Sequence, residues 1–538
     1  MANKPTTGRF IASLSLLGCT LSNVQAESCR PWQSSDAQNT ALRIGTITVQ
    51  SQDIFDLNDP KESHWYNRTA NRLHIQTDKN VIIHQLLFKP GDPYVAAKLA
   101  ESERLLRAQR YLKEARIVAE KVCGKHIQVT VHTRDNWTLT TGVSFGQAGG
   151  NSNSGIEIDE HNLLGMGKSL TLGYKQDNDR NQIHLGYHDP NLFGTHYQLT
   201  AAAQDNSDGN GYQFNLTLPF YQFDSKRAWG ISAQHLEQET PIYGQGQVLH
   251  KIGEDNLAAN FFYGWSEGRR QDRTERYLIG WQYARKGYFT TPSNTDYPPP
   301  EVQSYPWLGY EYVQDKYTQR ENFHTMGNTE DIALGHQGAV SAGLLHPQLG
   351  ADATYLKLNA SYSKGFSLSP QQLGLVSLEN TTWLGNGLHR GGRTTLKGEW
   401  NYFNTPNSSW HVSGIAKAAD NLVLGEQILL GGTEGLRGYP TGYQTGDKSI
   451  VLKMEKRFYF NGYPFHVAKV GAVAFADAGT AWGQGKPAEW LGDIGVGLRV
   501  VSTRSSSGKV LHIDLALPVN TQGKTDDYQL VIGTQTGF

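Results

Sequence analysis

The chain has 538 residues, room for two or more domains, and a formal net charge of −1 that gives no electrostatic footing for nucleic acid. Its 58 Gly, 26 Tyr and 12 Trp, with few charges, point to many strands and turns rather than to helices. Past the first residues no apolar run approaches the roughly 18 residues of a membrane helix, but a membrane strand needs only about 9–11, every second one apolar.

Lys4 and Arg9 lead into a short apolar core over residues 10–17, and Val24, Gln25 and Ala26 suit a cleavage site, so residues 1–26 read as an export signal cut after Ala26. The competing cut is at "LLGC", which would leave Cys19 as a lipidated first residue. After cleavage at Ala26 two cysteines remain, Cys29 and Cys123. Export places them in an oxidising compartment, which favours a disulfide between the N-terminal tail and a later strand over two unrelated thiols.

Residues 27–42 show no helical pattern, and residues 43–135 read as a small mixed domain. "RIGTITV" (residues 43–49) is a strand. "PYVAAKLAESERLLRAQRYL" (residues 93–112) is the best helix of the chain, opened by Pro93 after an Asp92 cap, with Val95, Leu99, Leu105 and Leu106 on one face. "EARIVAEKV" and "HIQVTVHTR" follow as two strands around a turn at Gly124. Such a unit buries a small core between helices and one face of a sheet.

From Trp137 to Phe538 the period becomes two. In "YQFNLTLPF" Tyr212, Phe214, Leu216, Leu218 and Phe220 face one way, and Gln213, Asn215 and Thr217 the other. "LHIDLALP" sets Leu511, Ile513, Leu515 and Leu517 against His512 and Asp514. A soluble sandwich alternates too, so periodicity alone does not decide. The export signal, the length of the alternating region and an aromatic C-terminus (Tyr528, Leu530, Ile532 and Phe538 share one parity) favour a closed membrane barrel, with Phe538 at its closing terminus. Five strands follow residue 447: around 448–460, 467–479, 490–502, 509–518 and 527–538. Before it the segmentation allows from 11 to 15, with residues 238–330 ambiguous and Pro298-Pro299-Pro300 marking a long loop.

One stretch stands apart: "GGTEGLRGYP", residues 431–440, a lone arginine among glycines. This loop, followed by "MEKRFYF" and "FADAG" five strands from the end, resembles the BamA/TamA superfamily of outer-membrane assembly factors and two-partner secretion transporters. The unit at 43–135 resembles that superfamily's POTRA domain, and "HNLLGMGKSL" and "DPNLFGTHYQL" resemble its periplasmic turns. The resemblance implies a barrel of 16 strands over residues 137–538 in the outer membrane, with the POTRA-like domain in the periplasm. It implies that the Gly435-Leu436-Arg437-Gly438-Tyr439 loop folds into the lumen, and that Arg437 meets Asp477 of an inner wall on which Phe475 and Gly479 are neighbours. Glu455 is a second candidate acid. A planar guanidinium suits this task because it holds a carboxylate bidentately and stays charged.

The resemblance further implies outer-membrane lipid and unfolded client polypeptides as partners, the latter by strand addition at the POTRA-like sheet edge, with insertion or translocation as the activity. Weak pairing between residues 139–145 and 534–537 would favour lateral opening. A passive channel or structural barrel is the alternative function. An enzyme is not expected. "GVSFG" matches a nucleophile elbow at Ser144, but it sits on a strand with no following helix. His184 and His188 are too far apart along a strand, about 13 Å, to share one ion, so neither a metal nor another cofactor is expected.

Overall fold

Side chains on a strand point alternately to its two faces, so one polar and one apolar parity make a sheet with two unlike surfaces. Here the apolar surface is the outer one. Leu515 and Leu517 are 42% and 44% exposed, whereas Asp514 and Ala516 between and beside them are 1% and 0% exposed. Ile494 and Leu498 of the preceding strand are likewise outward, with Arg499 fully buried. A sandwich would bury the apolar parity; a lipid-facing barrel exposes it.

The computed structural model describes residues 29–538 apart from 40, 149–150, 293–294, 352, 386–387, 433–434, 465–466, 484, 521–524, 526 and 536. The expected export signal and Cys19 lie outside the described residues. No described helix is long and apolar enough to cross a membrane.

The N-terminal region contains β1 (Cys29–Pro31), β2 (Arg43–Gln52), α1 (Trp65–Leu73), α2 (Lys79–His84), α3 (Ala96–Arg107), β3 (Leu112–Cys123) and β4 (His126–Asp135). Its sheet order is β1-β3-β4-β2, with β2 parallel to β4. Ile44, Ile82, Leu99, Leu106, Ile127 and Val131 form its core. The helix begins later than Pro93 because residues 93–95 are still tied to the sheet. Tyr94 N donates to Leu42 O, Pro93 bridges Arg43, and Val95 is extended. A short 3-10 turn at Ser34–Gln38 corrects the helix-free reading of the tail. Asp36 accepts from Gln33 N at 2.9 Å and from Arg30 Nη1 at 2.7 Å, which holds the turn. Cys29 lies opposite Cys123 in the β1–β3 register, and the two are disulfide-bonded.

The following strands are β5 (Leu139–Ala148), β6 (Asn151–Glu160), β7 (Ser169–Gln176), β8 (Asn181–Asp189), β9 (Gln198–Asn206), β10 (Gly209–Leu218), β11 (Arg227–Gly244), β12 (Gln247–Arg270), β13 (Arg273–Phe289) and β14 (Glu301–Gln314). A small hairpin follows, β15 (Tyr317–Glu321) and β16 (Thr329–Ala333). Then come β17 (His336–Leu345), β18 (Tyr355–Ser369), β19 (Gln372–Gly385), β20 (Leu388–Thr405) and β21 (Ser408–Asp420). A second small pair, β22 (Ile428–Leu430) and β23 (Gln444–Gly446), precedes β24 (Lys448–Tyr459), β25 (Ala468–Trp482), β26 (Leu491–Ser502), β27 (Val510–Pro518) and β28 (Gln529–Gln535).

Without the two small pairs, 20 antiparallel strands close into a barrel. That is the upper count the segmentation allows, and it replaces the 16 implied by the resemblance. The five strands after the loop fall where the alternation places them.

Strand direction sorts the connections. Those after β6, β8 and β14 lie at the near mouth, beside the N-terminal region, and the 421–447 connection enters from the far mouth. The two motif turns rest at the near mouth, the first against the segment leading into α2: Asp78 N donates to Gly165 O at 3.0 Å, and Asn162 Nδ2 to Thr77 Oγ1 at 2.9 Å.

Closure is thin. β27 pairs with β28 residue for residue from Val510 to Ala516, and β5 pairs with β6 along its whole length. Between β28 and β5 the described residues give one partner pair, Ile532 with Gln147. Phe538 does not take part, contrary to expectation. It lies beyond the last strand residue and is buried with Met326, Tyr459 and Val473, its N–H donating to His324 O at 2.6 Å. The guanidiniums of Arg457 and Arg499 lie 4.9 and 5.7 Å from its ring. A cation–π environment of this kind draws the ring inward and away from the lipid-facing stripe.

Candidate functional site

The 421–447 connection is gathered at its base by β22 and β23, and Gly432 N donates to Tyr439 O at 2.7 Å to close the loop on itself. Gly431 has φ +113°, and a Cβ there would lie 2.0 Å from Pro440 O, so the tight return at this point requires glycine. Leu436 and Tyr439 are fully buried and pack with Leu430, Val451, Ala481 and Leu491. This small apolar cluster seats the loop against the inward faces of β24, β25 and β26. Gly435 approaches Val451, and Gly479 leaves room for Leu430.

Arg437 projects from that seat into a ring of carboxylates. Its Nε and Nη2 donate to Asp477 Oδ2 and Oδ1 at 2.8 and 3.0 Å, a bidentate pair. Nη2 also lies 3.0 Å from Glu455 Oε1, and Nη1 donates to Asp514 Oδ2 at 3.2 Å. The guanidinium carbon is 3.5 Å from the Phe475 ring centroid, so the planar group is covered on one face and held at its edges. Gly438 N donates to Asp493 Oδ2 at 2.9 Å. A Cβ on Gly438 would lie 2.7 Å from that aspartate's own Cβ, which explains a second need for glycine in this loop. Tyr439 OH donates to Gly492 O at 2.9 Å.

Each residue singled out from the sequence for the loop and its wall is therefore brought together: Gly435, Leu436, Arg437, Gly438 and Tyr439 from the loop, and Glu455, Phe475, Asp477 and Gly479 from the wall. Four further charged residues belong to the same cluster. Asp493 and Asp514 supply carboxylates. Arg457 Nη2 sits 2.8 Å from Glu455 Oε2, and Arg499 is paired with Asp514, its Nη2 donating at 3.2 Å. Their signal was present as a charge on the inward parity of an otherwise apolar strand, as in "LHIDLALP" for Asp514 and "GDIGVGLRV" for Asp493 and Arg499.

Such a cluster has the means to hold a loop in one orientation. Ser144 lies within β5, its backbone opposite Gly155, and the next element is another strand. His184 Nε2 is 3.1 Å from Glu157 Oε2, and His188 Nδ1 is 3.0 Å from Thr200 Oγ1, so each has its own separate partner.

The profile of the Omp85 superfamily domain matches residues 162–537. No curated protein matches the chain in sequence. Among solved structures, the chain is similar to BamA from Haemophilus ducreyi lacking POTRA domains 1–3, at 14% identity and a TM-score of 0.38 over 91% of this chain and 85% of that one. It is similar to CdiB from Acinetobacter baumannii at 12% identity and a TM-score of 0.42, over 92% of this chain and 73% of the other. For CdiB from Escherichia coli the values are 11% and 0.38, over 96% and 92%. On the profile match, which spans well over half of its length, the chain belongs to the Omp85 superfamily.

Proposed function

We propose that this chain inserts client polypeptides into the bacterial outer membrane through the seam between β28 and β5. Omp85 barrels reside in that membrane and handle polypeptides there as transporters or assembly factors rather than enzymes. The observation that carries the choice of insertion is the seam itself. Among the described residues one partner pair joins strands whose other neighbours are paired along their length. Each backbone pair left unmade lowers the barrier to parting two strands, and the freed edges offer a template for a client strand.

In this reading residues 43–135 are a POTRA-like domain in the periplasm. Its sheet order puts β2 at an edge, occupied at Ile44 by residues 91 and 92, and the rest of that edge suits an extended client because backbone hydrogen bonding needs no particular sequence. The Arg437 loop acts as a positional lock on the inner wall formed by β24, β25 and β27, the wall nearest the seam in strand order. Release into the medium through the lumen fits less well, because the loop fills part of the far mouth.

The test is a quantitative proteome of outer membrane and culture medium with and without the gene. Insertion predicts loss of several barrel proteins from the membrane fraction. Loss of one secreted protein, retained in the periplasm, would mean a dedicated transporter instead. No change in either fraction would turn the reading to a passive channel.

A further inference from the structure

The near mouth carries a feature that the insertion reading does not use. Between β14 and β17 the chain does not turn directly but makes the β15–β16 hairpin, residues 315–335, and the tip of this hairpin is inside the barrel. Phe323 is fully buried and packs with Leu373 of β19. Met326 is buried with Tyr459, Val473 and Phe538. His324 Nε2 is 2.8 Å from Glu399 Oε1, well up β20. The tip is a built structure. The Glu330 carboxylate accepts from the backbone N–H groups of Phe323, His324 and Thr325 at 3.1, 3.1 and 3.0 Å. Asn322 Oδ1 accepts from Gly327 N at 2.9 Å.

The base of the hairpin is held from outside by the N-terminal region. Arg107 of α3 donates from Nε and Nη2 to the two oxygens of Asp331, both at 2.8 Å. Arg104 donates to Asp315 at 2.6 Å, and its guanidinium carbon lies 4.4 Å from the Tyr317 ring centroid. Nearer the tip, Lys113 of β3 bonds Asn328 in the turn that joins the two strands. These contacts join segments more than 200 residues apart in sequence, the N-terminal region and the hairpin at the near mouth.

We propose that residues 315–335 are a plug for the near mouth, and that the clasp by Arg104, Arg107 and Lys113 makes its seating depend on the position of the N-terminal domain. Displacing the domain removes the Arg104 and Arg107 pairs, leaves Asp315 to Arg269 of β12 at 2.5 Å, and frees the tip to leave the lumen. The plug also touches the Arg437 cluster. Arg457 donates from Nη1 to Phe323 O at 3.3 Å while holding Glu455, and Glu455 in turn holds Arg437. Motion of the domain is thereby communicated to the loop entering from the other mouth. The plug is independent of which way clients move, and its test involves no client.

The experiment is ion conductance of the full-length chain in planar bilayers. Arg107→Glu should raise the mean current several-fold over wild type, and Arg107→Asp combined with Asp331→Arg should return it towards wild type. A bis-methanethiosulfonate crosslink between Lys113→Cys and Asn328→Cys, which spans the length of the lysine side chain it replaces, should suppress the openings of both wild type and Arg107→Glu. The reductant used to release it is applied equally to the untethered protein, because it also reaches Cys29–Cys123. Wild-type current in Arg107→Glu would overturn the proposal. So would raised current that survives both the charge swap and the tether. Where Arg107→Glu fails to fold, openings of otherwise wild-type chain that the tether leaves unchanged would overturn it alone.

Discussion

Removing the Arg437 guanidinium should be costly for a specific reason: it orphans one carboxylate and not three. Glu455 keeps Arg457 at 2.8 Å, and Asp514 keeps Arg499. Both oxygens of Asp477 are engaged by Arg437, and among the described residues that carboxylate has no other hydrogen-bond donor. Its side chain is fully buried. Breaking a buried pair by deleting one partner costs about 3–5 kcal/mol, so Arg437→Ala should lose about that much. Replacing both members with apolar groups of similar size removes the orphan, and Arg437→Met with Asp477→Leu should fall within about 1 kcal/mol of wild type. The assay is urea unfolding in lipid vesicles followed by tryptophan emission, arranged as a double-mutant cycle. The same variants scored for outer-membrane assembly separate stability from positioning: the apolar pair should be stable and still defective. A single Arg437→Ala costing under about 1 kcal/mol, or a cycle with additive terms, would refute the reasoning.

Three further outcomes are expected. Gly438→Ala should cost about 1–3 kcal/mol in the same unfolding assay, because its Cβ would meet the Asp493 Cβ at 2.7 Å and displace the loop; an effect within about 0.5 kcal/mol would mean the loop is not held there. Cys29→Ser with Cys123→Ser reopens a loop of 94 residues and should destabilise the N-terminal domain by about 4 kcal/mol, read as earlier thermal unfolding and faster trypsin cleavage, with no change counting against it. Burial, and next the nearby Arg504 charge, push the Lys113 ammonium down from 10.5 to about 8. A depressed lysine means that the unfolded chain binds more protons, so stability rises with pH between about 8 and 10.5 and is lost as pH falls through about 8. Lys113→Met should therefore flatten the stability–pH slope of the wild type in that window, and an unchanged slope would argue that Lys113 is not buried against the hairpin.

Much of this architecture was legible because period two is a strong signal where one face meets lipid. The five strands after the loop follow from parity, whereas Phe475 and Asp477 were singled out by the resemblance of "FADAG" to a family motif. The strand total was not legible. β12 runs for 24 residues, far beyond the roughly 9–11 needed to cross, and such long hairpins blur segment counting across residues 238–330. The β15–β16 hairpin escaped for the opposite reason. Its strands are five residues each, and their burial comes from the barrel wall and α3, contacts that no local pattern encodes. Phe538 followed the parity of its strand in sequence, but the strand ends at Gln535, and past that point parity no longer fixes direction. Arg457 and Arg499 lie outside the motif that singled out Asp477, and alternation alone could not supply them. Alternation marks a position as inward without saying which inward positions meet.

The arrangement of the inserts suggests why their meeting point is charged. The loop from the far mouth seats on one apolar cluster, around Leu436 and Tyr439, and the hairpin from the near mouth shares another with Phe538. Between them lie Arg437, Arg457 and Arg499 with Glu455, Asp477, Asp493 and Asp514, all nearly inaccessible. An apolar contact at this place would be at least as stable, because the desolvation of buried ions offsets most of their attraction. It would also be indifferent to register, since apolar packing is non-directional. A bidentate arginine–aspartate pair has one good geometry and loses most of its energy when shifted by an ångström or two. The charged cluster therefore makes the position of each insert depend on that of the other. For a barrel whose seam shows one partner pair among the described residues, such mutual dependence allows an event at the near mouth to be felt on the wall beside the seam. Tryptophan or spin-label probes on the far-mouth loop should therefore respond to Arg107→Glu, a substitution at the opposite end of the molecule. A loop signal that is blind to that substitution would leave the two inserts as neighbours without coupling.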